Sequence, residues 1–127
     1  MIQLSPEGLV FVTEYHLASL STMGPDGRIH VVPVGFTYRE GLVRVITSGP
    51  SQKVVNLRRD ARATVSQVEG AGWITFAGTA RILEDPESVA LAVRLYAARY
   101  REPRVNPLRV AIVIEVETVM ASAGLLA

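Results

Sequence analysis

The sequence predicts a mainly β protein, a six-stranded antiparallel barrel with about three helices packed outside it. Three observations carry that expectation. About six strand-length apolar segments follow one another through short turns, as in a closed or partly open antiparallel barrel. Ser5-Pro6-Glu7 and Asp85-Pro86-Glu87 each place a capping residue before a proline, which starts a helix. No repeat, low-complexity tract or linker interrupts residues 1–127, so one domain is expected.

The elements follow in order. A short helix is predicted from Pro6 to about Glu14, then a strand from His16 or Leu17 to Thr22. Gly24-Pro25-Asp26-Gly27 makes a turn, because proline presets φ and Gly27 accepts a positive one. Arg28 to Tyr38 reads as one strand, with Val32, Val34, Phe36 and Tyr38 on one face and Ile29, Val31, Pro33 and Gly35 on the other. Both faces are apolar, so both need a cover. One would fill the barrel, and the other calls for a helix or a second subunit. Pro33 and Gly35 mark an edge or bulge where something approaches the backbone.

Arg39-Glu40-Gly41 turns the chain into a strand over Leu42 to Thr47, and a short helix is expected after the next bend, to about Arg59. Ala61–Val68 and Trp73–Leu83 pair through the turn Glu69-Gly70-Ala71-Gly72. The third helix starts at Asp85 and shows Val89, Ala92, Val93, Tyr96, Ala97 and Tyr100 at helical spacing. Pro103 and Pro107 bar its continuation, and Leu108 to Val116 is the last strand.

Composition excludes several classes. There is no cysteine, hence no disulfide framework, thiolate zinc site or cysteine nucleophile. An apolar fraction of 49% against 20% charged residues excludes a disordered chain. A net charge of +1 argues against a nucleic-acid partner. No apolar run approaches the roughly 20 residues of a membrane span, and Met1 to Thr13 lacks a basic leader. A cytoplasmic protein with neither nucleic acid nor membrane as partner is expected.

The most informative segment is Thr47-Ser48-Gly49-Pro50-Ser51-Gln52-Lys53-Val54-Val55-Asn56. It leaves a strand, bends, and enters a helix whose N-terminal N–H groups and dipole favour a phosphate. Ser51 and Lys53 would add hydrogen bonds of about 1.5–3 kcal/mol each. The same residues also suit a plain N-cap beside a solvated lysine, and both readings stand. His16 and His30 have no acidic residue at metal-ligand spacing, so no metal is expected, and His30 suits an exposed strand position better than catalysis. Trp73 either flanks a planar ring or plugs a barrel end. Arg99, Arg101, Arg104 and Arg109 surround the Pro103–Pro107 loop as solvated surface or as a clamp for carboxylates. No nucleophile elbow or phosphate-binding glycine loop is present, and no catalytic side chain is assigned.

The run Asp26-Gly27, Val32-Pro33-Val34, Val45-Ile46-Thr47, Ser51-Gln52-Lys53, Asn56-Leu57 and Gly78-Thr79-Ala80 resembles the pyridoxamine-phosphate-oxidase-like split-barrel superfamily, over about Leu9 to Val119. Tyr96 to Pro107 resembles its actinobacterial branch, which uses the deazaflavin coenzyme F420 and whose best-known members reduce biliverdin. The resemblance implies a Greek-key, FMN-binding type of split barrel over residues 1–127. It also implies a homodimer with cofactor sites at the interface and a small-molecule substrate. By the same resemblance, His30, Pro33, Val34, Gly35, Thr47, Ser48, Ser51, Gln52, Lys53, Asn56 and Trp73 are the cofactor-binding candidates. Arg104 and Arg109 are candidates for a substrate or an acidic tail. The implied activity is hydride transfer from F420. An FMN enzyme of the same barrel, or a non-catalytic carrier, are the alternatives. FMN oxidases commonly carry an arginine early in the second strand; Val31 beside His30 there shifts the expectation towards deazaflavin.

Overall fold

The computed structural model describes residues 3–127 and contains three helices and seven strands. In chain order these are α1 (Pro6–Phe11), β1 (Ala18–Met23), β2 (Ile29–Val34), β3 (Thr37–Arg39), β4 (Leu42–Ser48), α2 (Gln52–Arg59), β5 (Arg62–Glu69), β6 (Gly72–Leu83), α3 (Pro86–Arg99) and β7 (Arg109–Ala121). All pairings are antiparallel, in the order β2-β1-β5-β6-β7-β4-β3.

The expected six strands are therefore seven, and the difference has a physical cause. The segment read as one strand, Arg28 to Tyr38, breaks at Gly35-Phe36 into β2 and β3, which lie at opposite edges of the sheet. Two intervening residues reach only about 10 Å. The sheet must curl until its edges meet there, without a ladder across the seam.

Side chains close that seam instead. The Phe36 N–H donates to Tyr100 Oη at 3.1 Å, and the Phe36 carbonyl accepts from Arg99 Nη1 at 2.7 Å. Arg99 also donates through Nη2 to Gln67 Oε1 (2.7 Å) and through Nε to the Glu14 carbonyl (2.9 Å), while Tyr100 Oη donates to the His16 carbonyl (2.7 Å). The guanidinium lies 4.6 Å from the Phe36 ring centroid. Gln67 Nε2 in turn donates to the Phe11 carbonyl. These bonds take up carbonyls at 11 and 14, and α1 stops at Phe11 short of the expected Glu14.

Inside the barrel, Leu20, Phe36, Val43, Val65, Ile74, Phe76, Ile112 and Ile114 are fully enclosed. Each contributes about 1.5–3 kcal/mol of burial. Helix α2 adds Val54 and Leu57 to the same core. The last strand runs past the expected Val116 to Ala121, because the first half of β6 needs a partner. The register shifts at Ala77/Gly78, leaving Glu117 as the extra residue. Only glycine fits at 78, since a Cβ there would sit 2.0 Å from the Glu115 carbonyl oxygen.

The outer surface of the sheet is covered unevenly. Helix α3 lays Ala92 on Ala111 and Val113, so β7 is buried on both faces from Val110 to Ile114. Leu42 and Ile46 of β4 and Leu83 of β6 pack against the same cluster, whereas the outward positions of β1, β2, β5 and the first half of β6 have no such cover. Ser19, Ser21 and Met23 of β1 pair with Pro33, Val31 and Ile29 of β2. Thr64, Ser66 and Val68 of β5 face Ala77, Thr75 and Trp73 of β6. None of these twelve residues carries a charge, and Ile29 is 68% and Val68 65% exposed.

Candidate cofactor-binding cleft

A cleft of about 660 Å³ opens beside the seam. Its floor is Pro33, Val34 and Gly35 at the end of β2 and Ile46, Thr47 and Ser48 at the end of β4. The strands end here for different reasons. Proline has no N–H to continue a ladder. Gly35 is required by packing, since a Cβ would lie 2.9 Å from the Tyr96 ring and 3.0 Å from the Tyr100 ring. The far wall is Tyr96 of α3 and the loop Arg101 to Asn106, with Arg109 from the start of β7.

Helix α2 begins beside this cleft and sends Lys53 into its lining. Ser51 is the N-cap residue with extended backbone, yet its side chain caps no N–H. Its hydroxyl lies 3.4 Å from Thr47 Oγ1 instead. The first N–H groups of α2 are thus left for solvent or a ligand. Lys53 enters the cleft half-buried, and burial pushes its ammonium pKa below the ordinary value. Among the described residues no carboxylate pairs with it. Lys53, Arg101, Arg104 and Arg109 face one carboxylate, Glu102. A half-buried cation without a counter-ion in a basic cleft is an arrangement for binding anions.

The cleft thus brings together Pro33, Val34, Gly35, Thr47, Ser48, Lys53, Arg104 and Arg109. Five other candidates lie elsewhere. Ser51 stands behind Thr47. Gln52 Nε2 donates to Asn56 Oδ1, and the fully buried Asn56 donates to Thr22 Oγ1, so this pair anchors α2 to β1. His30 pairs with Thr22 across β1 and β2, its Nδ1 buried and without a partner. Trp73 sits on the uncharged outer face, 38% exposed. Of the arginine cluster, Arg99 turns inward to the seam, while the other three line the cleft.

The sequence shows Tyr96 in an apolar stripe and, with Asn106, in the branch-like run Tyr96 to Pro107, but marks neither of them nor Gln67 as a site residue. One signal for Gln67 was available. It occupies an inward position of β5 beside Val65, and a glutamine there demands a buried partner. Nothing local marks Tyr96 or Asn106 as cleft residues.

Fold and cleft define a class, an antiparallel barrel with a basic ligand cleft at its seam. Residues 4–122 match the pyridoxamine 5'-phosphate oxidase family, and the chain belongs to that family. It is 47% identical over 126 residues to the F420H(2)-dependent biliverdin reductase of Mycobacterium tuberculosis (strain CDC 1551 / Oshkosh), covering 98% of this chain and 92% of that one. Among solved structures, a conserved hypothetical protein of Mycobacterium tuberculosis superposes with a TM-score of 0.81 at 28% identity, covering 94% of this chain and 85% of that chain. A structure described as an F420 reductase shares the fold, with a TM-score of 0.75 at 22% identity over 91% of this chain and 98% of that chain.

Proposed function

We propose that this chain is an oxidoreductase that uses coenzyme F420 to transfer hydride to an unsaturated small molecule, with biliverdin the first candidate. The observation that carries the reading is the 47% identity, along almost the whole chain, to a reductase of that cofactor and substrate. The cleft suits the cofactor's chemistry. F420 is a deazaflavin bearing a phosphodiester and a carboxylate tail, and the cleft offers four cations, two hydroxyls and an uncapped helix terminus.

When bound, the reduced deazaflavin supplies the hydride. The protein's residues bind and orient. Pro33, Val34 and Gly35 present backbone and small side chains where a flat ring can lie close. Thr47, Ser48, Lys53 and the α2 N-terminus hold the phosphodiester. Arg104 and Arg109, with Arg101, hold carboxylates of the tail or of the substrate. Tyr96 contributes an aromatic wall to the same space.

The working unit is a cytoplasmic homodimer of this one split-barrel domain, with cofactor sites at the interface. The twelve-residue uncharged patch on the outer face of β1, β2, β5 and β6, with Ile29, Val31, Val68 and Trp73 exposed, supports this, because exposed apolar side chains grouped in one patch mark an interaction surface. Pro33 belongs to both that face and the cleft wall, so a second copy docked there would wall the cleft. A charge on that face tests the point. Val31→Glu is expected to give a monomer by light scattering and to weaken F420 binding; a dimer of unchanged affinity would place the interface elsewhere.

Function is tested by fluorescence titration with F420 and, in parallel, FMN, followed by mixing the F420H2 complex with biliverdin. Tight F420 binding, weak FMN binding and oxidation of the reduced cofactor by biliverdin are expected. Tight FMN binding alone would move the protein to the flavin enzymes of the family, and F420 bound without turnover would make it a carrier.

A further inference from the structure

We infer that Asn106 is a positioning residue that orients the Ser48 hydroxyl as a hydrogen-bond donor into the cleft, favouring a deprotonated oxygen as its partner. The inference rests on the anion-binding reading of the cleft above.

Asn106 lies half-buried in the loop between α3 and β7. The Leu108 N–H donates to Asn106 Oδ1 at 3.0 Å. That bond identifies the amide oxygen and turns the Asn106 amide nitrogen towards Ser48. Asn106 Nδ2 then donates to Ser48 Oγ at 2.8 Å. An amide nitrogen can only donate, so Ser48 Oγ is the acceptor.

The hydroxyl's remaining asset is its proton. Among the described residues no hydrogen bond of the chain uses it. Ser48 and Asn106 both line the cleft beside Lys53 and Arg104, so the proton is available to a ligand there. An unpinned serine can donate or accept, and would tolerate a ligand hydroxyl or a protonated phosphate. Ser48, already accepting on one of its two lone pairs, turns its proton away from Asn106 and donates it more strongly for the bond it accepts. The fit is to a phosphate or carboxylate oxygen carrying no hydrogen.

The same contact joins two walls of the cleft. Ser48 ends β4, whereas Asn106 belongs to the loop that carries Arg101 and Arg104. Gly49 N–H donates to the Leu108 carbonyl at 2.8 Å and Arg109 Nη2 to the Arg104 carbonyl at 2.6 Å, so the loop is already held at its base. Asn106 therefore has a polar task beyond tethering.

Asn106→Asp is the sharp test, because aspartate keeps the oxygen that accepts from Leu108 and replaces the donor with an acceptor. The Ser48 proton would turn to the new carboxylate and away from the ligand. Dissociation constants are measured for F420 and for its phosphate-free riboflavin-type deazaflavin core. Asn106→Asp is expected to weaken F420 by roughly tenfold or more and the core by less than about twofold. Ser48→Ala, which leaves the loop turn intact, is expected to show the same selectivity. In the Ser48→Ala background most of the Asn106→Asp loss should vanish.

Equal weakening of both ligands would reduce Asn106 to a loop staple. An undiminished loss in the Ser48→Ala background would assign the effect to charge repulsion alone. Either result overturns the inference, as does wild-type affinity in both single variants. Failure of the wild-type protein to bind F420 would instead overturn the cofactor reading.

Discussion

Arg99→Ala is expected to cost on the order of 4 kcal/mol of folding stability, measured by urea unfolding. The side chain is 9% exposed and its guanidinium makes three hydrogen bonds, to the carbonyls of Glu14 and Phe36 and to Gln67. No carboxylate balances it, and burial lowers its pKa from the ordinary arginine value. It nevertheless stays charged, because an arginine pKa is too high to cross neutrality. Truncation takes the donor from Gln67 Oε1 and from the half-buried Glu14 carbonyl, at about 1–3 kcal/mol each, leaves the Phe36 carbonyl only Tyr100 Oη at 3.2 Å, and removes the cation from the Phe36 ring. Arg99→Lys should fall between the two, since an ammonium cannot span all three acceptors. The seam is where the sheet has no ladder, so Arg99 does there what backbone pairing does elsewhere. A loss below about 1 kcal/mol would mean that packing alone holds the barrel closed.

Lys53→Ala is expected to weaken F420 binding by roughly 2–3 kcal/mol, about 30- to 150-fold, with little effect on the stability of the free protein. The two readouts separate because the ammonium is half-buried without a partner. Burial works against its charge until an anion arrives, so its removal costs binding and not folding. A pH dependence follows with a definite sign. Desolvation depresses the pKa in the free protein, and a bound anion raises it again. Affinity should therefore be level at lower pH and decline as pH rises through the depressed value. Lys53→Arg should remove that decline, since the guanidinium does not titrate there. An unchanged dissociation constant in Lys53→Ala would detach the lysine from the phosphodiester.

Much of the fold was legible along the chain. Ser5-Pro6 and Asp85-Pro86 started helices where the structure has α1 and α3, and the Ser5 and Asp85 side chains accept cap hydrogen bonds from Gly8 and Ser88. Gly27, Gly41 and Gly70 take the positive φ that their turns demand. The bend ahead of α2 delivered Lys53 to a cleft, and the alternation of Arg28 to Val34 put Val34 inward and Ile29 and Val31 outward. Cap, turn and alternation are short-range effects, which is why they could be read.

The misreadings have a common origin. Arg28 to Tyr38 alternates without interruption, so nothing local marks the break at Gly35-Phe36. The break occurs because the Phe36 backbone bonds to side chains more than sixty positions away. Arg99 belonged by position to a surface cluster and by structure to the interior, since its three acceptors come from separate segments. Asn56, three residues after Lys53, turns inward to Thr22 instead of lining the cleft.

Element types, turns and the bend that carries Lys53 follow from residue order, because each depends on neighbours within a few positions. The closure of the sheet, the inward turn of Arg99 and the far wall of the cleft depend on contacts between residues 32 to 85 positions apart. Such contacts leave no periodicity in the chain and exist only once the sheet has curled.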